Sequence, residues 1–214
     1  MPIDHKVQFR SYETLLASAM AERERAGVDH LCQLRFRSLI EKYVNFDPDT
    51  KDTLRLLLHD REEEPFFDRN QLVIVCNEGL WEEAGIGEPL ACFKLLHELA
   101  HAKFHKDPIS SFSYSTESQI AFAENWESAE WQANTWAALV MAPPYLAVGC
   151  DDRASFMYRF NFPSEFYDFW RALLDRRPLR MTPDFCPKCG SQSVAKIASR
   201  LRCMTCGTKF DDKL

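Results

Sequence analysis

Two histidines four residues apart, in the run His97-Glu98-Leu99-Ala100-His101, restrict this chain more than any other feature does. On an α-helix, positions four apart lie about 40° from eclipsed and about 6 Å along the axis, so both imidazoles project from one face toward a common point. The surrounding residues support a helix. Glu88 to Phe104 carries Leu95, Leu96, Leu99, Ala100 and Phe104 at helical spacing, and Pro89 is tolerated in a first turn.

Two imidazoles so placed can bind one ion, and Glu98 is displaced around the helix to sit beside the remaining coordination positions. Zinc lowers the pKa of a bound water to roughly 7. Glu98 can then accept the proton as the oxygen attacks a carbonyl, and later deliver it to a departing amine. A catalytic site of this kind needs a third protein ligand and an open fourth position.

The next helical pattern, from about Thr116 to Met141, supplies candidates for that ligand. Thr116 with Gln119 fits a capping box at its start, and Pro143-Pro144 ends it. Glu127, Glu130 and Asn134 share one face with Ala123, Trp126, Ala137 and Met141. A carboxylate buried on so apolar a stripe costs several kcal/mol unless it is compensated, and a divalent cation compensates it. Glu130 is the expected ligand, with Glu127 in reserve. Asn134 is expected to support a ligand by donating from its amide.

His105 continues the histidine stripe, and capping or local hydrogen bonding near the helix end is expected of it rather than ligation. Tyr114 and Tyr145 are expected in the core, with oxyanion stabilisation as the alternative.

A second cluster lies near the end of the chain. Cys186-Pro187-Lys188-Cys189 and Cys203-Met204-Thr205-Cys206 form two Cys-x-x-Cys knuckles separated by thirteen residues, so four thiolates can close a tetrahedral site. Such a zinc is structural, because no position remains for a substrate water. Cys32, Cys76, Cys92 and Cys150 lack this spacing and read as small buried thiols.

The net charge of −6 argues against a chain whose whole surface grips nucleic acid. From Asp184 onward there are six Lys or Arg against three Asp or Glu, so that tail is +3 and the rest is −9. Lys188, Lys196, Arg200, Arg202 and Lys209 in it could contact phosphates or an acidic protein. Met1 to Arg10 is polar and lacks the apolar run of a secretory signal, which points to the cytoplasm. The most apolar stretch, Trp136 to Cys150, is too short and proline-broken to span a membrane and reads as core.

Elsewhere the spacing predicts helices over Ser11 to Ala26 and Asp29 to Tyr43, separated by Gly27. Strands are predicted at Thr53 to His59 and Gln71 to Cys76, paired in a small antiparallel sheet. Two short helices follow at Asp152 to Phe160 and Ser164 to Leu174, the second capped by Ser164. Arg176 to Pro183 reads as a linker. The fold class is α+β, mainly helical, with one domain over 1–180 and a small four-cysteine zinc ribbon over 181–214.

The first motif, together with His105 and the run from Glu130-Trp131-Gln132-Ala133-Asn134 to Val140-Met141-Ala142-Pro143, resembles the ImmA/IrrE family of intracellular zinc metallopeptidases. The resemblance extends from about Leu54 to Leu174. It implies a zincin-like core and favours Glu130 over Glu127, since the family's metal-binding Glu stands three residues before an Ala-Asn or Ala-Asp pair. It also implies a helix-turn-helix repressor as the protein substrate or partner, and it likens Asp152 to Leu174 to the helix pair that follows the family's catalytic core, where simple packing is expected rather than DNA contact.

The expectation from sequence is therefore an intracellular zinc endopeptidase with one catalytic and one structural zinc. The alternative is a non-proteolytic, zinc-stabilised regulator that binds a repressor or nucleic acid; a ribbon that leads in binding nucleic acid, with the core as accessory, is a third possibility.

Overall fold

The computed structural model describes residues 7–34, 36–44, 53–106, 128–150, 152–176, 180–182, 188, 194–197, 200–203 and 208–211. They fall into two compact units, one within Met1–Tyr12 and Leu34–Ala137, the other within Glu13–Gln33 and Ala138–Leu214. The architecture is α+β. Among the described residues no helix is long and apolar enough to cross a membrane.

The first unit is built on a three-stranded sheet of order β1-β3-β2, with β1 at Arg55–His59, β2 at Phe66–Asp68 and β3 at Val73–Asn77. The sheet is mixed. β1 runs parallel to β3, with Leu56 opposite Ile74, and β2 runs antiparallel to β3, with Phe67 opposite Ile74. The expected antiparallel pairing of the two longer strands is thus corrected. The segment between them contributes β2, which forms the tight hairpin with β3 and leaves β1 to pair on the far side. Local chemistry makes the hairpin: the Asp68 carboxylate accepts from the N–H groups of Asn70 at 2.8 Å and Gln71 at 3.3 Å, and Leu72 takes a left-handed φ of 50°.

Asn77 then turns strand into helix. Its side-chain oxygen accepts from Leu80 N–H at 3.2 Å and caps α3, Glu78–Ile86, which the sequence reading did not anticipate. A Cβ at Gly79 would stand 2.9 Å from that oxygen, so a larger residue there would press on the capping side chain. Gly87, at φ 88°, ends α3. Glu88 immediately caps α4, Pro89–Phe104, by accepting from Ala91 N–H at 2.6 Å. α4 packs on α3 and touches β2 and β3, burying Phe93, Leu95, Leu96, Leu99 and Ala100.

α2 spans only Phe36–Ile40, much less than the helix predicted over Asp29 to Tyr43, whereas α1 at Tyr12–Arg25 matches its prediction closely. The reason lies in the second unit. Arg23 is fully buried, and its guanidinium donates to the carbonyls of Val28, Leu31 and Val140. Carbonyls committed to a guanidinium are held in turns, and Gly27 at φ 72° lets the chain reverse toward it.

α5, Ala129–Met141, begins where the Ser128 hydroxyl accepts from Trp131 N–H at 2.9 Å. The described helix therefore starts at a cap of its own rather than continuing a helix from Thr116; the Thr116–Gln119 box lies outside the described residues. α6, Arg153–Phe160, is capped by Asp152. Ser164 opens a 3-10 turn, Ser164–Phe166, and its hydroxyl donates to Glu165 rather than capping; α7 follows at Tyr167–Arg176. Phe156 packs against Trp170 at a centroid distance of 4.1 Å, and the Trp170 indole donates to the Ala142 carbonyl at 2.8 Å.

The expected linker contains a strand. β4 (Arg180–Thr182), β5 (Val194–Ile197), β6 (Arg200–Cys203) and β7 (Lys209–Asp211) form an antiparallel sheet in chain order.

Replacing Arg23 by Met removes the guanidinium donor from the buried Val140 carbonyl and from the part-buried carbonyls of Val28 and Leu31. We expect a loss of about 3 kcal/mol or more in urea denaturation; a change below about 1 kcal/mol would contradict the role given to this side chain.

Candidate metal centre

Three side chains from two helices of the first unit meet at one point. His97 and His101 come from successive turns of α4, and Glu130 from the first turn of α5. Their ligand atoms all lie within 4.8 Å of one another. The Nε2 atoms of His97 and His101 are 2.9 Å apart, and the Glu130 carboxylate places Oε2 3.2 Å from His97 Nε2 and Oε1 3.3 Å from His101 Nε2. Ligand atoms bound about 2.0 to 2.1 Å from one tetrahedral zinc stand about 3.3 Å from each other. The donor set thus fits a metal ion, with two imidazole nitrogens and one carboxylate leaving a fourth position open.

The charges in the cluster depend on one another. Burial works against ionised Glu130, but hydrogen bonds and charge from His101 and His97 outweigh it and hold the carboxyl well below the usual range. Burial likewise disfavours the charged His97, yet Glu130, the charge of Glu98 and Asn134 raise its pKa on balance. Positive charge, as a proton or as a cation in its place, is what this arrangement demands.

Glu98 stands beside the cluster, its Oε1 4.0 Å from His97 Nε2. Burial pushes its carboxyl up to about 7, helped by the charges of Glu130 and Glu64 and opposed by His97 and by the Phe67 N–H, which donates to it. A carboxyl poised near neutrality is suited to taking up and releasing a proton.

Behind the cluster, α5 supplies polar support. His97 Nδ1 donates to Asn134 Oδ1 at 2.8 Å, so Asn134 accepts from His97 instead of donating to it. On the other histidine, His101 Nδ1 lies 3.0 Å from His105 Nδ1, on the ring edge opposite the cluster. His105 caps α4 by donating its backbone N–H to the His101 carbonyl at 2.8 Å, and its Nε2 reaches Gln132 Oε1 at 3.1 Å. Gln132, fully buried, was not singled out from sequence; a Gln two residues after Glu130 carries no signal until the helix face is known.

Other predicted residues fall elsewhere. Glu127, Tyr114, Cys186, Cys189 and Cys206 lie outside the described residues, and Cys203 ends β6. The buried Tyr145 donates its hydroxyl to the Asp29 carbonyl. Cys76 and Cys92 are buried free thiols, both pushed up to about 12 by desolvation. Cys32 and Cys150 are half-exposed, a correction to the expectation of burial, and both accept from the Arg159 guanidinium. Lys209 pairs with Glu24 at 2.8 Å and Asp29 at 3.6 Å, so its charge is committed within the second unit.

In metal-free protein the raised Glu98 value means that the folded state holds the proton more tightly than the unfolded chain. Stability therefore falls as pH rises from the ordinary 4.5 toward 7, and the loss is complete above that. Glu98→Gln cannot ionise and escapes this decline. Urea denaturation in chelator should show it more stable than wild type by about 2 to 3 kcal/mol at pH 8, with the gap closing toward pH 4.5. Parallel stability curves would contradict the burial of an ionisable Glu98.

Residues 83–144 match the model of a peptidase family described as the IrrE N-terminal-like domain. No curated protein and no solved structure matches the chain. The matched stretch holds α4 and α5 with His97, Glu98, His101 and Glu130, and it supports the resemblance to the ImmA/IrrE peptidases and a metallopeptidase-like function.

Proposed function

We propose that the chain is an intracellular zinc-dependent endopeptidase that acts on a regulatory protein, a helix-turn-helix repressor being the substrate the family resemblance favours. The observation that carries this reading is the convergence of His97 Nε2, His101 Nε2 and the Glu130 carboxylate, with Glu98 alongside.

His97, His101 and Glu130 would hold the ion. When bound, it supplies a Lewis acid for the scissile carbonyl and lowers the pKa of water to roughly 7. Glu98 takes the proton as the water oxygen attacks, and then returns it to the departing amine nitrogen. Asn134 keeps the His97 ring turned toward the ion by accepting its Nδ1 proton.

The sheet supports a place for a peptide. β2 is an edge strand, and Phe67 directs its N–H outward to Glu98. An extended substrate segment pairing along that edge would lie beside the proton-transferring carboxylate.

The C-terminal sheet supports a zinc ribbon over 181–214. The hairpin of β5 and β6 separates the two Cys-x-x-Cys knuckles and ends at Cys203, so Cys186, Cys189, Cys203 and Cys206 would hold a second, structural zinc.

Wild-type protein and Glu98→Gln should carry the same zinc content, while the variant loses cleavage of a helix-turn-helix repressor substrate by about 100-fold to 10,000-fold. Chelation should abolish the wild-type cleavage, followed by mass spectrometry of the fragments. Cleavage by Glu98→Gln at the wild-type rate would refute the hydrolytic reading. Repressor binding without cleavage by either protein would favour the non-proteolytic regulator.

A further inference from the structure

We infer that His105 is a positioning residue for the metal centre: steered by Gln132, its ring takes the proton of His101 Nδ1 and leaves His101 Nε2 bare toward the ion. This rests on the metal-binding reading above and adds to it a pair of residues that touch neither ion nor substrate.

The direction of each link follows from the first. Gln132 Nε2 lies 2.8 Å from the Gln8 backbone carbonyl, which can only accept, so the amide nitrogen is fixed on that side. The amide oxygen then faces His105, and it too can only accept. His105 Nε2, at 3.1 Å, must carry hydrogen. We take His105 as neutral; a neutral imidazole has one N–H, so its Nδ1 presents a lone pair. His101 Nδ1, 3.0 Å away, must therefore donate. What remains on His101 is a lone pair at Nε2, on the edge that faces Glu130 Oε1 at 3.3 Å and His97 Nε2 at 2.9 Å.

Burial gives the chain its force. His101, His105 and Gln132 are 9%, 6% and 0% exposed, so water competes little for any link. His97 reaches the same tautomer through the single link to Asn134. α5 thus provides one ligand, Glu130, the acceptor that orients His97, and the Gln132 oxygen that orients His105 behind His101. The geometry also sets His105 behind His101 rather than beside the ion, which separates it from the ligand set.

The test uses full-length, zinc-loaded protein and the ion that His101→Ala loses, followed by competition with a chromogenic chelator. His105→Leu should weaken that ion by about 10-fold to 100-fold while circular dichroism remains as in wild type. His105→Gln, whose side-chain oxygen can accept the same proton, should recover most of the loss, which a merely space-filling role would not predict. Nitrogen-15 spectra of the loaded wild type should show His101 protonated at Nδ1 and His105 at Nε2. Unchanged affinity in His105→Leu, or His105 protonated at Nδ1, would overturn the assignment. If His101→Ala itself keeps all its zinc, the metal-binding reading fails instead.

Discussion

A carboxylate and two imidazole nitrogens that face one another at 2.9 to 3.3 Å, largely out of water, need positive charge between them. Their lone pairs repel otherwise, and the depressed Glu130 and raised His97 express that demand electrostatically. Much of the first unit can be understood as holding these atoms in place. Glu88 caps α4 at its start, His105 caps its end, and Ser128 fixes the first turn of α5 so that Glu130 enters at the right height. The sheet contributes its edge, with Phe67 bonded to Glu98.

The helix bearing His97 and His101 was legible because every local signal agreed: Glu88 and Pro89 at the start, an apolar stripe through Leu95 and Leu99, and histidines on one face. Glu130 was legible by a cost argument, since an acid on an apolar stripe requires a partner. Pairing direction was not. Short apolar runs mark β1 and β3 as strands, but only the Asp68 turn, hidden in a charged connection, makes β2 and pushes β1 into parallel pairing. α3 escaped because its nine residues include three glutamates and two glycines in place of a clear stripe; Asn77 and Gly87 were the available signals.

The polar residues behind the site show a different limit. Asn134 was recognised, with the direction of its bond reversed, because a side-chain amide offers both a donor and an acceptor and only the geometry selects one. Gln132 and Arg23 draw their roles from partners 124 and 117 positions away, Gln8 and Val140, and no local window contains those. Buried polar groups tie distant segments together through single acceptors, so they shape turns and tautomers that propensity alone does not encode.

The central claim, that His97, His101 and Glu130 share one metal ion with a position left open, is tested most directly by anomalous diffraction at the zinc edge from crystals of the full chain. The account predicts a peak about 2.0 to 2.2 Å from both Nε2 atoms and from a Glu130 carboxylate oxygen. Zinc-saturated crystals with no peak there, or with Glu130 turned away from both histidines, would contradict it.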